Sequence, residues 1–133
     1  MAPNKSVLAF RKLTVDMQRE IFNDAVAELD TQADNLVQTM RGVVVQGPTS
    51  NLANSIRKEQ GRKETVVVVR AGGETTTVGS GGRSYDYARS VEFGTVKTPS
   101  QPFFFPTYRL MKKKIRSAMR SKITKTIKKY SAE

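Results

Sequence analysis

The sequence contains no cysteine, no histidine and no tryptophan. Without cysteine there is no disulfide framework, no thiolate nucleophile and no cysteine-based zinc site. Without histidine, the commonest general base near neutral pH and the commonest transition-metal ligand are both gone. Acid–base chemistry would have to fall to Asp, Glu, Lys or Tyr, so the residue set points away from an enzyme. No stretch reaches the roughly 20 apolar residues that a bilayer span requires. Residues 1–10 lack the apolar run of a signal peptide, so the expected place of synthesis is the cytoplasm.

A chain of 133 residues suits one domain, 1–133, and its 38% hydrophobic and 8% aromatic content is that of a globular protein. The charge is lopsided. The segment 107–133 holds ten basic residues and one acid, Glu133, and so carries +9 of the +11 total. The basic residues are Arg109, Lys112, Lys113, Lys114, Arg116, Arg120, Lys122, Lys125, Lys128 and Lys129. A nearly neutral body with one basic segment implies a polyanionic partner or an acidic protein surface.

Periodicity divides the chain. Residues 1–12 read as a short lead-in. Leu13, Met17, Ile21, Ala25, Leu29 and Ala33 then recur every four residues, with Phe22, Val26, Leu36 and Met40 beside them. This stripe predicts a long helix with Thr14 as its N-cap, Asp16 in its first turn and Gly42 as its stop. Its length suits a helix lying across a sheet or against a neighbouring subunit. Val43 to Val45 can extend, and 47–51 is loop chemistry. Leu52, Ala53 and Ile56 open a short turn or strand. The β-branched run in Glu64 to Arg70 predicts a strand, buried on both faces or in contact with a subunit on one. Ala71 to Gly73 is a turn and Thr75 to Val78 a second strand. Tyr85 to Phe93 fits helix or strand equally. Pro106 suits the first turn of a last helix, whose apolar stripe is Tyr108, Met111, Ile115, Met119, Ile123 and Ile127.

Three local features invite chemistry. Gly79-Ser80-Gly81-Gly82-Arg83-Ser84 has phosphate-cradling composition, but no Gly-Lys-Ser/Thr follows it, and a hairpin loop explains it better. Asp86 and Glu92 could pair as acid and base, yet their spacing is not diagnostic of any such pair. No carboxylate cluster has the density of a metal loop. Phe103-Phe104-Phe105, between Pro102 and Pro106, either anchors the last helix to the core or fills a pocket on a neighbour. The basic helix lacks aromatic interleaving between Lys112 and Lys129, which argues against base stacking. Having no Trp and tyrosines only near its ends, it fits a membrane surface poorly. A nucleic-acid backbone, an acidic protein surface and plain solvation stay open.

Tyr87-Ala88, then Val91-Glu92-Phe93-Gly94-Thr95, then Gln101-Pro102-Phe103 and Pro106 together resemble a family of tailed-bacteriophage neck proteins, the tail-completion or head–tail joining proteins. Pro48 to Ile56 is similar to the same family's Thr-Gly-x-Leu-x-x-Ser-Ile loop, with Ser50 where the glycine would stand. The resemblance spans about Leu13 to Ile115 and leaves out the basic extension. It implies an α+β ring subunit, usually hexameric, in the virion neck between the head connector and the tail terminator or tube, made in the host cytoplasm. The matched residues have a physical reading too. Gly94 permits a sharp turn, Phe93 and Phe103 anchor the core, Pro102 and Pro106 set the path into the last helix, and Glu92 makes a subunit charge pair or bonds turn amides. None of these roles is catalytic.

The expected fold is therefore α+β: a long N-terminal helix packed on a small antiparallel sheet, followed by a basic C-terminal helix over 107–133. The expected function is a structural ring subunit, without cofactor or metal, with DNA in its channel as a further partner and no membrane contact. The alternative is a sequence-independent nucleic-acid-binding protein working through the basic helix.

Overall fold

In the computed structural model, residues 4–45, 50–80 and 83–131 are described. The loop expected at Gly47 to Thr49 and the centre of the Gly-rich segment, Gly81 and Gly82, lie outside them. The α+β expectation holds. Helix α1 (Lys5–Val43) is followed by a short α2 (Asn51–Ser55), a hairpin of β1 (Arg57–Gln60) and β2 (Val67–Arg70), a 3₁₀ turn at Glu74–Thr76, and a second hairpin of β3 (Thr77–Ser80) and β4 (Arg83–Asp86). A short α3 (Tyr87–Phe93) and the long α4 (Phe105–Ser131) complete the chain.

Helix α1 begins eight residues earlier than its apolar stripe suggests and absorbs most of the expected lead-in. The reason is Asn4, whose Oδ1 accepts from the Val7 N–H at 2.9 Å and caps the first turn. Thr14, the expected cap, lies inside the helix and donates to the Phe10 carbonyl instead. At the other end Gly42 is passed by one residue, and Val44, extended and buried, closes the helix through its N–H to Met40 O.

The core is small: Ala33, Leu36, Val37, Met40 and Val44 from the C-terminal end of α1 and beyond, with Leu52, Ile56, Ala88 and Phe103. Phe103, Met40 and Ile56 are the largest apolar side chains sealed in it. Each contributes about 1.5–3 kcal/mol of burial. The expected stripe is thus buried only in its last third. Leu13 and Phe22 are largely exposed.

The strand β1, Arg-Lys-Glu-Gln, has no β-forming residue in its sequence. It is a strand because the Val run needs a partner. The two pair antiparallel, Lys58 opposite Val69 and Glu59 opposite Val68. Its charges then become clamps. Lys58 Nζ reaches Asp30 at 2.7 Å and Asp34 at 2.8 Å on α1, and these two carboxylates raise its pKa. Glu59 pairs with Arg57 and Arg70, and its pKa is lowered first by Arg57. The second strand expected at Thr75 begins at Thr77, because Glu74 to Thr76 turns as a 3₁₀ segment. The ambiguous Tyr85 to Phe93 segment is both things in succession, strand to Asp86 and helix from Tyr87.

Helix α4 is not a free arm. It runs antiparallel along α1: Met111 and Ile115 pack on the core, while its far end meets the middle of α1. There Thr126 Oγ1 donates to Asp24 Oδ2 at 2.6 Å, Lys129 Nζ reaches Glu20 Oε1 at 2.6 Å, and the Tyr130 hydroxyl donates to Glu20 Oε2. The Lys129 ammonium, followed by the Tyr130 hydroxyl, holds the Glu20 carboxyl below the usual carboxylate range.

Candidate functional site

The motif residues converge on one structural hub. Glu92, near the C-terminal end of α3, is buried, and its carboxylate faces the start of α4. Oε2 accepts from the N–H groups of Phe103 and Phe104 at 2.8 and 2.9 Å, and Oε1 accepts from that of Phe105 at 2.9 Å. One side chain therefore satisfies three backbone donors at a helix start and places its negative charge at the positive end of the α4 dipole. Of the two roles foreseen for Glu92, the bond to backbone amides is the one the chain makes.

Gly94 follows with φ +78°, and a Cβ there would stand 2.8 Å from the Ser100 nitrogen. This glycine lets the chain reverse between α3 and the 95–102 loop. The loop is tied back by Gln101 N–H to Val91 O at 2.8 Å. Phe103 fills the core as expected. Phe93 does not: it is 63% exposed, with its ring beside that of Phe105 at 6.0 Å between centroids. The helical turn that aims Glu92 at α4 points its neighbour Phe93 outward. The three consecutive phenylalanines divide likewise, with Phe103 sealed, Phe104 half-buried and Phe105 largely exposed. Pro102 is exposed, and Pro106 sits in the first turn of α4.

Asp86 performs the parallel task one element earlier. Its Oδ1 accepts from Ala88 N–H, capping α3, and from the Thr76 hydroxyl at 2.6 Å, while Oδ2 accepts from Gly73 N–H at 2.8 Å. Both acids weighed as an acid–base pair are thus occupied in holding backbone. Nearby, Ser55 accepts from Gly72 N–H at 2.9 Å and donates to Leu52 O. Ser50 stands at φ +56°, the left-handed region, at the position where the family pattern has glycine.

Two arginines that sequence reasoning missed complete the hub. Arg41 grips the Ile56 carbonyl with Nε and Nη2 at 3.1 and 2.7 Å. Arg57 Nη1 bonds Ser55 O and Gly72 O at 2.9 and 2.7 Å. These partners in the hub are main-chain oxygens, which leave no mark in the sequence, although Arg57 also pairs with the Glu59 side chain.

The second candidate site is the outer face of α4, which contains no acid from Phe105 to Ser131. Lys112 and Lys122 are half-buried. Arg109, Lys113, Arg116 and Arg120 are all exposed and recur at i, i+4, i+7 and i+11. That spacing makes one stripe about 16 Å long. Lys114, Lys125 and Lys128 are exposed as well. Of the ten basic residues, Lys129 is the one with an ion pair among the described residues, to Glu20. No group of acids capable of holding a metal occurs among the described residues, and no helix is long and apolar enough to cross a membrane.

The chain matches no family model, no curated protein and no solved structure.

Proposed function

We propose that this chain is a structural subunit of the neck of a tailed bacteriophage, packing with copies of itself into a closed ring between head connector and tail. The observation that carries the reading is the Glu92 clamp. The Glu-Phe-Gly-Thr and Gln-Pro-Phe segments that carry the resemblance form one physical unit, in which the first caps the helix that the second opens. The role of such a unit would be geometric: it fixes the angle at which α4 leaves the body. Polar side chains tied to backbone suit a subunit that must present the same shape to each neighbour around a ring. A closed ring needs a head-to-tail interface between two different patches.

Native mass spectrometry and negative-stain imaging of the purified full chain test this directly. A closed ring of one stoichiometry is expected. A chain that stays monomeric, and is absent from tailed particles, overturns the reading.

A second reading has its own support in the arginine-rich stripe of α4. Guanidinium groups pair with phosphate oxygens in a planar fork, and a ring could turn such a stripe towards DNA in its channel. Binding to duplex DNA should then be sequence-independent and fall steeply with salt. Changing Arg109, Lys113, Arg116 and Arg120 together to serine should shallow the log–log salt slope by roughly 3 to 4. An unchanged slope removes α4 from any DNA contact.

A further inference from the structure

We infer that the exposed N-terminal end of α1 from one copy of the chain docks into the apolar groove between α1, β2 and α4 of another copy. This deepens the ring reading and rests on it, naming the two patches that a head-to-tail contact requires.

The first patch is the end of α1. Because Glu20 meets the last turn of α4, the helix before it runs on past that contact, without a neighbouring element among the described residues. Every residue from Lys5 to Leu13 is exposed, a length of about 13 Å. Phe10 is 68% and Leu13 42% exposed, and with Val7 they continue the stripe of Met17 and Ile21. An apolar stripe on a solvent-exposed length of helix calls for a cover.

The second patch is a groove of ≈ 370 Å³ lined by Leu29 and Leu36 of α1, Val67 and Val69 of β2, and Tyr108 and Ile115 of α4. The groove opens to solvent, and its lining is apolar apart from Gln32 and the Tyr108 hydroxyl. Gln32, buried in the same lining, supplies a second and independent sign of a missing partner. Its Nε2 donates to Glu28 at 2.9 Å, while its Oε1 is buried with no donor among the described residues. Turning the amide over would set oxygen against the Glu28 carboxylate, so the unpaired group is the acceptor.

Both patches are apolar, and the α1 side of the groove adds the Glu28 carboxylate beside Gln32. A helix carrying an apolar stripe is what a hydrophobic groove of this kind accepts. The overhang bears Lys5, Arg11 and Lys12 and no acid before Asp16. Arg11, beside Phe10, brings N–H donors to the unpaired Gln32 oxygen and a positive charge to Glu28. The overhang cannot reach its own groove. Phe10 and Leu29 lie on one continuous helix, about 28 Å apart. The overhang can therefore fill this groove only in a second copy.

The test uses the full chain carrying Phe10→Glu or Tyr108→Glu, both at exposed positions, with circular dichroism melting to verify the fold. Mass photometry should show wild type assembled and each variant weakened in self-association by about 30-fold or more, the size of an interface anchor. An equimolar mixture of the two should recover pairs, since one copy keeps the groove and the other the helix end. The chain has no cysteine, so a Phe10→Cys, Tyr108→Cys double variant should give a ladder of linked multimers on oxidation, and neither single variant should. Variants that assemble like wild type, with no ladder, overturn the docking and leave the ring standing. Linked pairs that never exceed two copies keep the docking and overturn the ring. A wild type that is monomeric at every concentration overturns both.

Discussion

Replacing Glu92 by glutamine keeps the shape of the side chain and removes one of its two accepting oxygens. Oε2 serves two N–H groups and Oε1 serves one. Whichever end becomes the amide nitrogen, at least one buried donor loses its acceptor and faces an N–H group instead. A hydrogen bond to a charged group is worth about 1.5–3 kcal/mol. The lost interaction with the α4 dipole adds about 0.5–1 kcal/mol. The expected cost is about 2–4 kcal/mol, out of a total near 5–15 kcal/mol for a domain. Urea unfolding followed at 222 nm, with a slope of about 2 kcal/mol per molar, should show the midpoint falling by about 1–2 M. Glu92→Ala strips all three acceptors and should cost more than the glutamine variant. If Glu92→Gln unfolds within about 0.2 M of wild type, a small fraction of the shift that slope predicts, the carboxylate clamp does not hold α4 and the reasoning about the hub is wrong.

Ser50→Gly should stabilise the chain by about 0.5–1 kcal/mol, since glycine relieves the left-handed strain at φ +56° at some cost in unfolded-state entropy; an unchanged urea midpoint counts against that strain. Gly94→Ala should destabilise by about 1–3 kcal/mol, because the φ of +78° and the 2.8 Å approach to Ser100 N both oppose a Cβ; thermal melting reads it. Glu20 and Glu59 have lowered pKa values, so their contribution is complete above the unfolded carboxylate range near about 4.3 and is lost as pH falls through their native values. Lys58 has a raised pKa, so its contribution is complete below about 10.4 and is lost as pH rises through its native value. Unfolding midpoints should therefore fall at both ends of the range, and Glu20→Gln should flatten the acid limb.

What the sequence shows and hides follows from where each signal resides. The long helix, the Val-rich strand and the basic last helix are written as periodicity and composition, and all three are present. Strand β1 is hidden because Arg57 to Gln60 owes its extension to β2. The true start of α1 is hidden because an Asn4 cap outweighs an apolar pattern that begins at Leu13. The candidate site was legible in part. Gly94 and Phe103 do what their residue types suggest. Phe93 faces solvent because its turn of helix is spent on aiming Glu92. The spacing of Asp86 and Glu92 gives no sign of their role, because the backbone N–H groups they accept from leave no mark in the sequence.

The closing of α4 against α1 joins residues more than a hundred positions apart, Glu20 with Tyr130 and Asp24 with Thr126. On the ribosome, α1 has emerged whole long before its partner helix exists. At about 5–20 residues per second the interval is on the order of 5–20 s. For that time the stripe of α1 is open to whatever lies beside it, including α1 of a second nascent chain on the same message. The surface that α4 covers is thus open for much of synthesis, and the late arrival of α4 closes it as far as Glu20.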